Sequence, residues 1–65
     1  MTVGNLIEKN SIIDDNTTII IRCDTNFHVI TSGNWYEDNI LNYLNKEIEG
    51  FTWEKENIVY IDIIE

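Results

Sequence analysis

The chain has no proline, one cysteine, three glycines and only four basic residues among 65. Each shortage excludes something. The absence of proline argues against a linker-like chain. The single thiol, Cys23, permits no internal disulfide and fits a reducing cytoplasm better than a secreted scaffold. No run of about 18 apolar residues occurs, so no membrane-spanning helix is expected. The opening Met1-Thr2-Val3-Gly4-Asn5 lacks the basic and apolar regions of a signal peptide and a second-position glycine for myristoylation. A cytoplasmic protein is therefore expected. Lys9, Arg22, Lys46 and Lys55 are too few and too scattered to make a nucleic-acid footprint. Neither Gly33 nor Gly50 belongs to a phosphate-binding loop, since G-x-G-x-x-G and G-x-x-x-x-G-K-S/T spacings are both missing.

What is present in excess is acid. Twelve carboxylates stand against the four bases, a formal net charge of −8. Residues 1–32 carry four acids and two bases, net −2, and residues 33–65 carry eight acids and two bases, net −6. Such a field repels nucleic acid and anionic membrane and favours basic partners. Self-repulsion weakens the compact state, most at low salt, and dimerisation, a bound cation or docking on a basic protein would offset it. Thirteen Ile, three Val, two Trp, three Tyr, Phe27 and Phe51 nevertheless supply a core. A chain of this length folds as one domain, residues 1–65, that buries only about 60% of its unfolded surface.

The apolar pattern divides the chain into six elements. Thr2–Lys9 reads as a short helix, capped by Thr2, with Val3, Leu6 and Ile7 on one stripe. Asn10–Asn16 is a connector with a turn at Asp14-Asp15-Asn16, and Ile12 and Ile13 are expected to tuck onto the core. Thr17–Cys23 is a β-branched strand with Ile19, Ile21 and Cys23 on one face and Thr18, Ile20 and Arg22 on the other. After a turn at Asp24-Thr25-Asn26, Phe27–Ser32 returns as its hairpin partner. Tyr36–Lys46 reads as a helix with an apolar stripe of Tyr36, Ile40, Leu41, Tyr43 and Leu44. Glu37 and Asp38 in its first turn and Lys46 near its end suit the helix dipole. Asn39, Asn42 and Asn45 are poor helix formers, so packing must hold it. Ile48–Glu54 and Asn57–Ile64 follow as strands around Lys55-Glu56. The expected fold is α+β, in the order α-β-β-α-β-β, with a four-stranded antiparallel sheet and the helices on one face.

Four groups of residues invite a functional reading. Cys23 and His28 flank the hairpin turn, and a thiolate–imidazole pair there would be a nucleophile; a small buried Cys beside a surface His is the simpler account. Asp14, Asp15, Asp24 and His28 offer oxygen and nitrogen ligands, but no calcium-loop spacing links them and a turn explains the first pair. Neither group is taken as a site, so no catalytic residue, metal or cofactor is expected. Trp35 and Tyr36, followed by Glu37 and Asp38, combine interface aromatics with acids; Trp35 is expected to be the more exposed ring, because Tyr36 lies on the helix stripe. Phe51 and Trp53 alternate onto the same face as Glu49 and are expected to serve the core. Finally, Glu47 and Glu49, and Glu54 and Glu56, are alternate residues about 6.5–7 Å apart on an extended strand. That spacing is comparable to the phosphates of a nucleic acid.

Ser32-Gly33-Asn34-Trp35-Tyr36-Glu37-Asp38-Asn39-Ile40-Leu41, then Glu47-Ile48-Glu49-Gly50-Phe51-Thr52-Trp53 and Val59-Tyr60-Ile61-Asp62, resemble small uncharacterised proteins of low-GC Gram-positive bacteria and their phages or mobile elements. The opening Thr2-Val3-Gly4-Asn5-Leu6-Ile7-Glu8 resembles their short first helix. The resemblance implies a cytosolic, phage-associated setting and carries no activity or site. The expected function is that of an acidic, non-enzymatic inhibitor that occupies a basic surface on a nucleic-acid-handling protein, of anti-CRISPR or anti-restriction type. Trp35, Glu37, Asp38, Glu47, Glu49, Glu54 and Glu56 are the expected contacts, without direct nucleic-acid or membrane binding. The alternative is a self-associating accessory module, as a homodimer, whose acids only confer solubility.

Overall fold

A computed structural model describes residues 1–9 and 13–64. Ile12, expected on the core, lies outside the described residues, whereas Ile13 is buried in it. In chain order the elements are α1 (Val3–Lys9), β1 (Thr18–Cys23), β2 (Val29–Gly33), α2 (Asp38–Leu41), β3 (Ile48–Lys55) and β4 (Ile58–Ile63). The class is α+β.

The four strands form one sheet in the spatial order β2-β1-β4-β3. The sheet is mixed, which corrects the antiparallel expectation: β1–β2 and β3–β4 pair antiparallel, but the two hairpins meet through a parallel β1–β4 pair. Burial explains this join. Ile19, Ile21 and Cys23 of β1 and Val59, Ile61 and Ile63 of β4 alternate onto one face, each at most 4% exposed. Placing those two strands at the centre shields both from water. The central strands run parallel because residues 34–47 carry the chain across the sheet, from the β2 edge to the β3 edge. Such a crossover takes roughly a dozen residues or more.

Val3 and Leu6 of α1 and Ile40 of α2 complete the core on that face, with Ile7, Ile30, Tyr43, Leu44, Ile48 and Trp53 packed around it. Full burial of an Ile side chain contributes about 1.5–3 kcal/mol. A reciprocal cap starts α1: the Asn5 N–H donates to Thr2 Oγ1 at 3.1 Å, and the Thr2 N–H donates to Asn5 Oδ1 at 3.0 Å. This is a capping box with Asn in the usual Glu or Gln position.

The helix expected over Tyr36–Lys46 is cut to the four residues of α2. Beyond Leu41 the bonds tighten, with Tyr43 N–H to the Ile40 carbonyl and Leu44 N–H to the Leu41 carbonyl. The carbonyls of Leu44 and Lys46 then accept the first N–H groups of α1, from Gly4 and Val3, at 2.9 Å each. The turns that follow α2 thus satisfy the start of α1, and the Asn-rich sequence has no propensity to resist. Asn39 is instead used sideways, donating to Thr31 Oγ1 at 2.8 Å and to the Ser32 carbonyl at 2.6 Å.

Both hairpins carry irregularities that parity alone did not predict. On β2, Arg22 faces Val29 and Ile21 faces Thr31, so Ile30 is the extra residue and turns into the core. Phe27 is not part of β2; it closes the turn, its N–H donating to the Cys23 carbonyl at 2.9 Å, in a left-handed conformation with φ 57°. On β3, the register slips between Ile48 and Gly50 and between Trp53 and Lys55, leaving Glu49 and Glu54 as the inserted residues.

Candidate interaction surface

The seven expected contact residues do not form one patch. Trp35, Glu37 and Asp38 directly follow β2, at one edge of the sheet, whereas Glu47, Glu49, Glu54 and Glu56 lie on or beside β3, at the other. Three inter-strand steps separate the edges, about 14 Å.

The group beside β2 is held by its own hydrogen bonds. Asn34 anchors it, with its side-chain amide donating to the carbonyls of Asp15 at 2.8 Å and Thr17 at 3.3 Å. Its backbone N–H donates to Glu37 Oε1 at 2.8 Å. A Cβ on Gly33 would lie 3.0 Å from that same oxygen, so glycine leaves room for the Glu37 side chain. Trp35 donates its indole N–H to Asp15 Oδ1 at 2.9 Å and meets Tyr36 edge-on, ring centres 5.6 Å apart. The expected ranking of the rings is reversed: Tyr36 is 52% exposed and Trp35 37%. Shortening the helix removed the stripe that was to bury Tyr36, while the Asp15 bond draws the indole in. Trp35 and Glu37 therefore serve this loop, and Asp38 occupies the first turn of α2.

The group on β3 faces outward. All four glutamates are exposed. Glu47 pairs with the Met1 amino group at 3.0 Å, an exposed ion pair of the kind that contributes about 0–1 kcal/mol. Glu54 Oε2 accepts the Tyr60 hydroxyl at 3.2 Å. That bond is the main reason the Tyr60 phenol is raised above its ordinary value, with partial desolvation and the Glu54 charge adding and Arg22 opposing. Bulges and charge are both devices that blunt a sheet edge, and β3 has both at Glu49 and Glu54. Between them, Gly50-Phe51-Thr52-Trp53 carries no charge. Phe51 and Trp53 sit opposite Ile61 and Val59, hence on the core face. Trp53 packs on the core as expected, but Phe51 remains 42% exposed because among the described residues no strand lies beyond β3.

Sequence reasoning missed the centre of the opposite face. Arg22 and Asp62 are direct partners across the parallel β1–β4 pair, and Arg22 donates from Nε and Nη2 to the two Asp62 oxygens at 2.7 and 3.1 Å. The rings of Phe27 and Tyr60 lie 4.9 and 4.3 Å from the guanidinium. The sequence signal was there: the chain's one Arg and one of its five Asp each fall within an apolar strand, on the face away from the core. Pairing them required knowing that β1 and β4 are neighbours.

The other two candidate groups are not assembled. The Cys23 N–H donates to the His28 carbonyl at 2.9 Å, so the backbones adjoin. The thiol, however, is buried against Thr25 Oγ1 at 3.1 Å, while His28 is exposed. Among the described residues no three His, Cys, Asp or Glu side chains cluster as metal ligands. Nor, among these residues, is any helix long and apolar enough to cross a membrane. Comparison of the chain with family models, curated proteins and solved structures gave no match.

Proposed function

We propose that the protein is an acidic, non-enzymatic binding module that seats its β3 edge on a basic surface of a nucleic-acid-handling protein and inhibits it by occupying that surface. The observation that carries this reading is the concentration of Glu47, Glu49, Glu54 and Glu56, all exposed, on or beside the edge strand β3, where Lys46, Lys55 and the Met1 amine offset only part of the charge. Charge of one sign along an edge steers a basic partner and repels nucleic acid itself. Its sharpest form is a phage-borne inhibitor of a CRISPR or restriction system in the cytoplasm. The contact set narrows to the β3 glutamates, because Trp35 and Glu37 are engaged in their own loop.

The test is affinity capture from a low-GC Gram-positive host, followed by titration of the captured protein across a salt series. Binding should weaken steeply with salt and compete with the partner's nucleic acid. Glu49→Lys with Glu54→Lys should weaken it by about tenfold or more, some 1.4 kcal/mol. Glu37→Lys with Asp38→Lys, at the far edge, should change it much less. Affinity that is flat in salt, or equal losses from both pairs, would refute the reading.

A second reading has its own observation. Phe27 and Val29 are 57% and 49% exposed on or beside the face that bears Arg22, and no element covers that face among the described residues. A homodimer through it would hide both. Light scattering showing a dimer that Phe27→Asp dissolves would favour self-association over partner binding.

A further inference from the structure

Resting on the reading above, we propose that the basic partner contributes an extended segment that joins the sheet as a fifth strand beside β3. The two sheet edges are unequal. At β2 the Ser32 carbonyl is taken by Asn39 and α2 lies alongside. At the start of β3 the Ile48 N–H donates to the Met1 carbonyl at 2.9 Å, and Thr2 bridges Glu47. Beyond that point nothing among the described residues pairs with the outer side of Gly50–Trp53. Alternate residues of such an edge direct their N–H and C=O groups outward, where an added strand satisfies them.

Two further features describe the occupant. Phe51 faces the core side yet stays 42% exposed, so an apolar residue on the added strand would extend the core layer over it. Glu49 and Glu54, five positions apart, mark the ends of the regular stretch, about 17 Å from one another along the strand. They suit a segment with Lys or Arg at its two ends and β-branched residues between. The same carboxylates discriminate against a second copy, since pairing β3 with itself would set glutamates near glutamates. Charge thus excludes self-pairing and admits a basic strand.

The probe is the blocked peptide Lys-Val-Thr-Val-Thr-Lys, with Glu-Val-Thr-Val-Thr-Glu as control, read by amide hydrogen exchange at low salt. With the basic peptide near saturation, the outward-facing amides of Gly50–Trp53 should slow by about tenfold or more, and the acidic peptide should leave them unchanged. The Glu49→Lys/Glu54→Lys variant should lose that protection while β1 and β4 amides stay protected, showing that it folds. Salt-sensitive binding without protection at Gly50–Trp53 would overturn strand addition and leave the basic-surface reading standing. No binding of either peptide at low salt would overturn both. Protection that grows with protein concentration alone would assign the edge to a second copy instead and overturn the proposal.

Discussion

Replacing Arg22 by Met isolates the two-pronged ion pair at the centre of the sheet. The substitution keeps an unbranched apolar stem in β1 but removes the guanidinium from both Asp62 oxygens, which it now meets at 2.7 and 3.1 Å. Removing one partner of a fully buried pair costs about 3–5 kcal/mol, whereas an exposed pair contributes about 0–1 kcal/mol. Here the two side chains are 20% and 12% accessible, which places the pair nearer the buried limit. The rings of Phe27 and Tyr60 also lose their cation, a further ~0.5–1 kcal/mol for a partly exposed stack. A total of about 3 kcal/mol follows. At roughly 0.05–0.15 kcal/mol per residue, a chain of this size has only about 3–10 kcal/mol to lose. The expected fall in Tm is about 12–24 °C. Urea unfolding followed by tryptophan fluorescence reads the loss directly, and an unchanged m-value would assign it to stability. Most of the cost is the orphaned carboxylate, so Arg22→Met with Asp62→Leu should recover about 2 kcal/mol or more. A loss below about 1 kcal/mol in the single variant, or a double variant no more stable than the single, would refute this account.

Two smaller predictions concern the same face. Because the Glu54 carboxylate holds the Tyr60 phenol in its neutral form, Glu54→Gln should move its titration down towards the ordinary value of about 10, as read by NMR of the Tyr60 ring. A raised native value means that this contribution is complete below the unfolded value and fades as pH climbs through the native one, so the variant should lose less stability in alkali; an unmoved titration would sink the assignment. At Phe27, φ 57° strains any side chain by about 1–2 kcal/mol, so Phe27→Gly should be about 1 kcal/mol more stable than Phe27→Ala, both lacking the ring over Arg22. Equal urea midpoints for the two would show that the turn carries no such strain.

What the sequence made legible was whatever depends on near neighbours. The alternation of Ile19, Ile21 and Cys23, the hairpin partners on either side of the turn at Asp24-Thr25-Asn26, and the cap at Thr2 are all local patterns. The join between hairpins was not legible, because β1 and β4 show the same alternation whichever way they run. Arg22 and Asp62 were hidden for the same reason, being 40 positions apart and adjacent only in the parallel register. The second helix was over-extended because its apolar stripe gave no hint that Gly4 and Val3 would capture the carbonyls of Leu44 and Lys46. Bulges escaped as well. Ile30 turns inward and Val29 outward through one inserted residue, which shifts the whole parity argument for β2.

The placement of charge resolves how so acidic a chain stays folded. Among the described residues Asp62 is the one buried carboxylate, and the chain's only Arg neutralises it. Of the other described acids, Glu37 and Asp38 lie beside β2, and Glu47, Glu49, Glu54 and Glu56 lie on or beside β3. Their separation of about 14 Å exceeds the Debye length of about 8 Å at physiological ionic strength. At that ionic strength the two groups hardly feel each other, and the repulsion implied by −8 is largely divided. A partner seated on β3 then meets the charge of that edge rather than of the whole molecule. Diluting the salt lengthens the screening distance until both edges act together. The far-edge pair Glu37 and Asp38 should therefore begin to matter for binding only well below physiological ionic strength, a dependence that a single acidic patch would not produce.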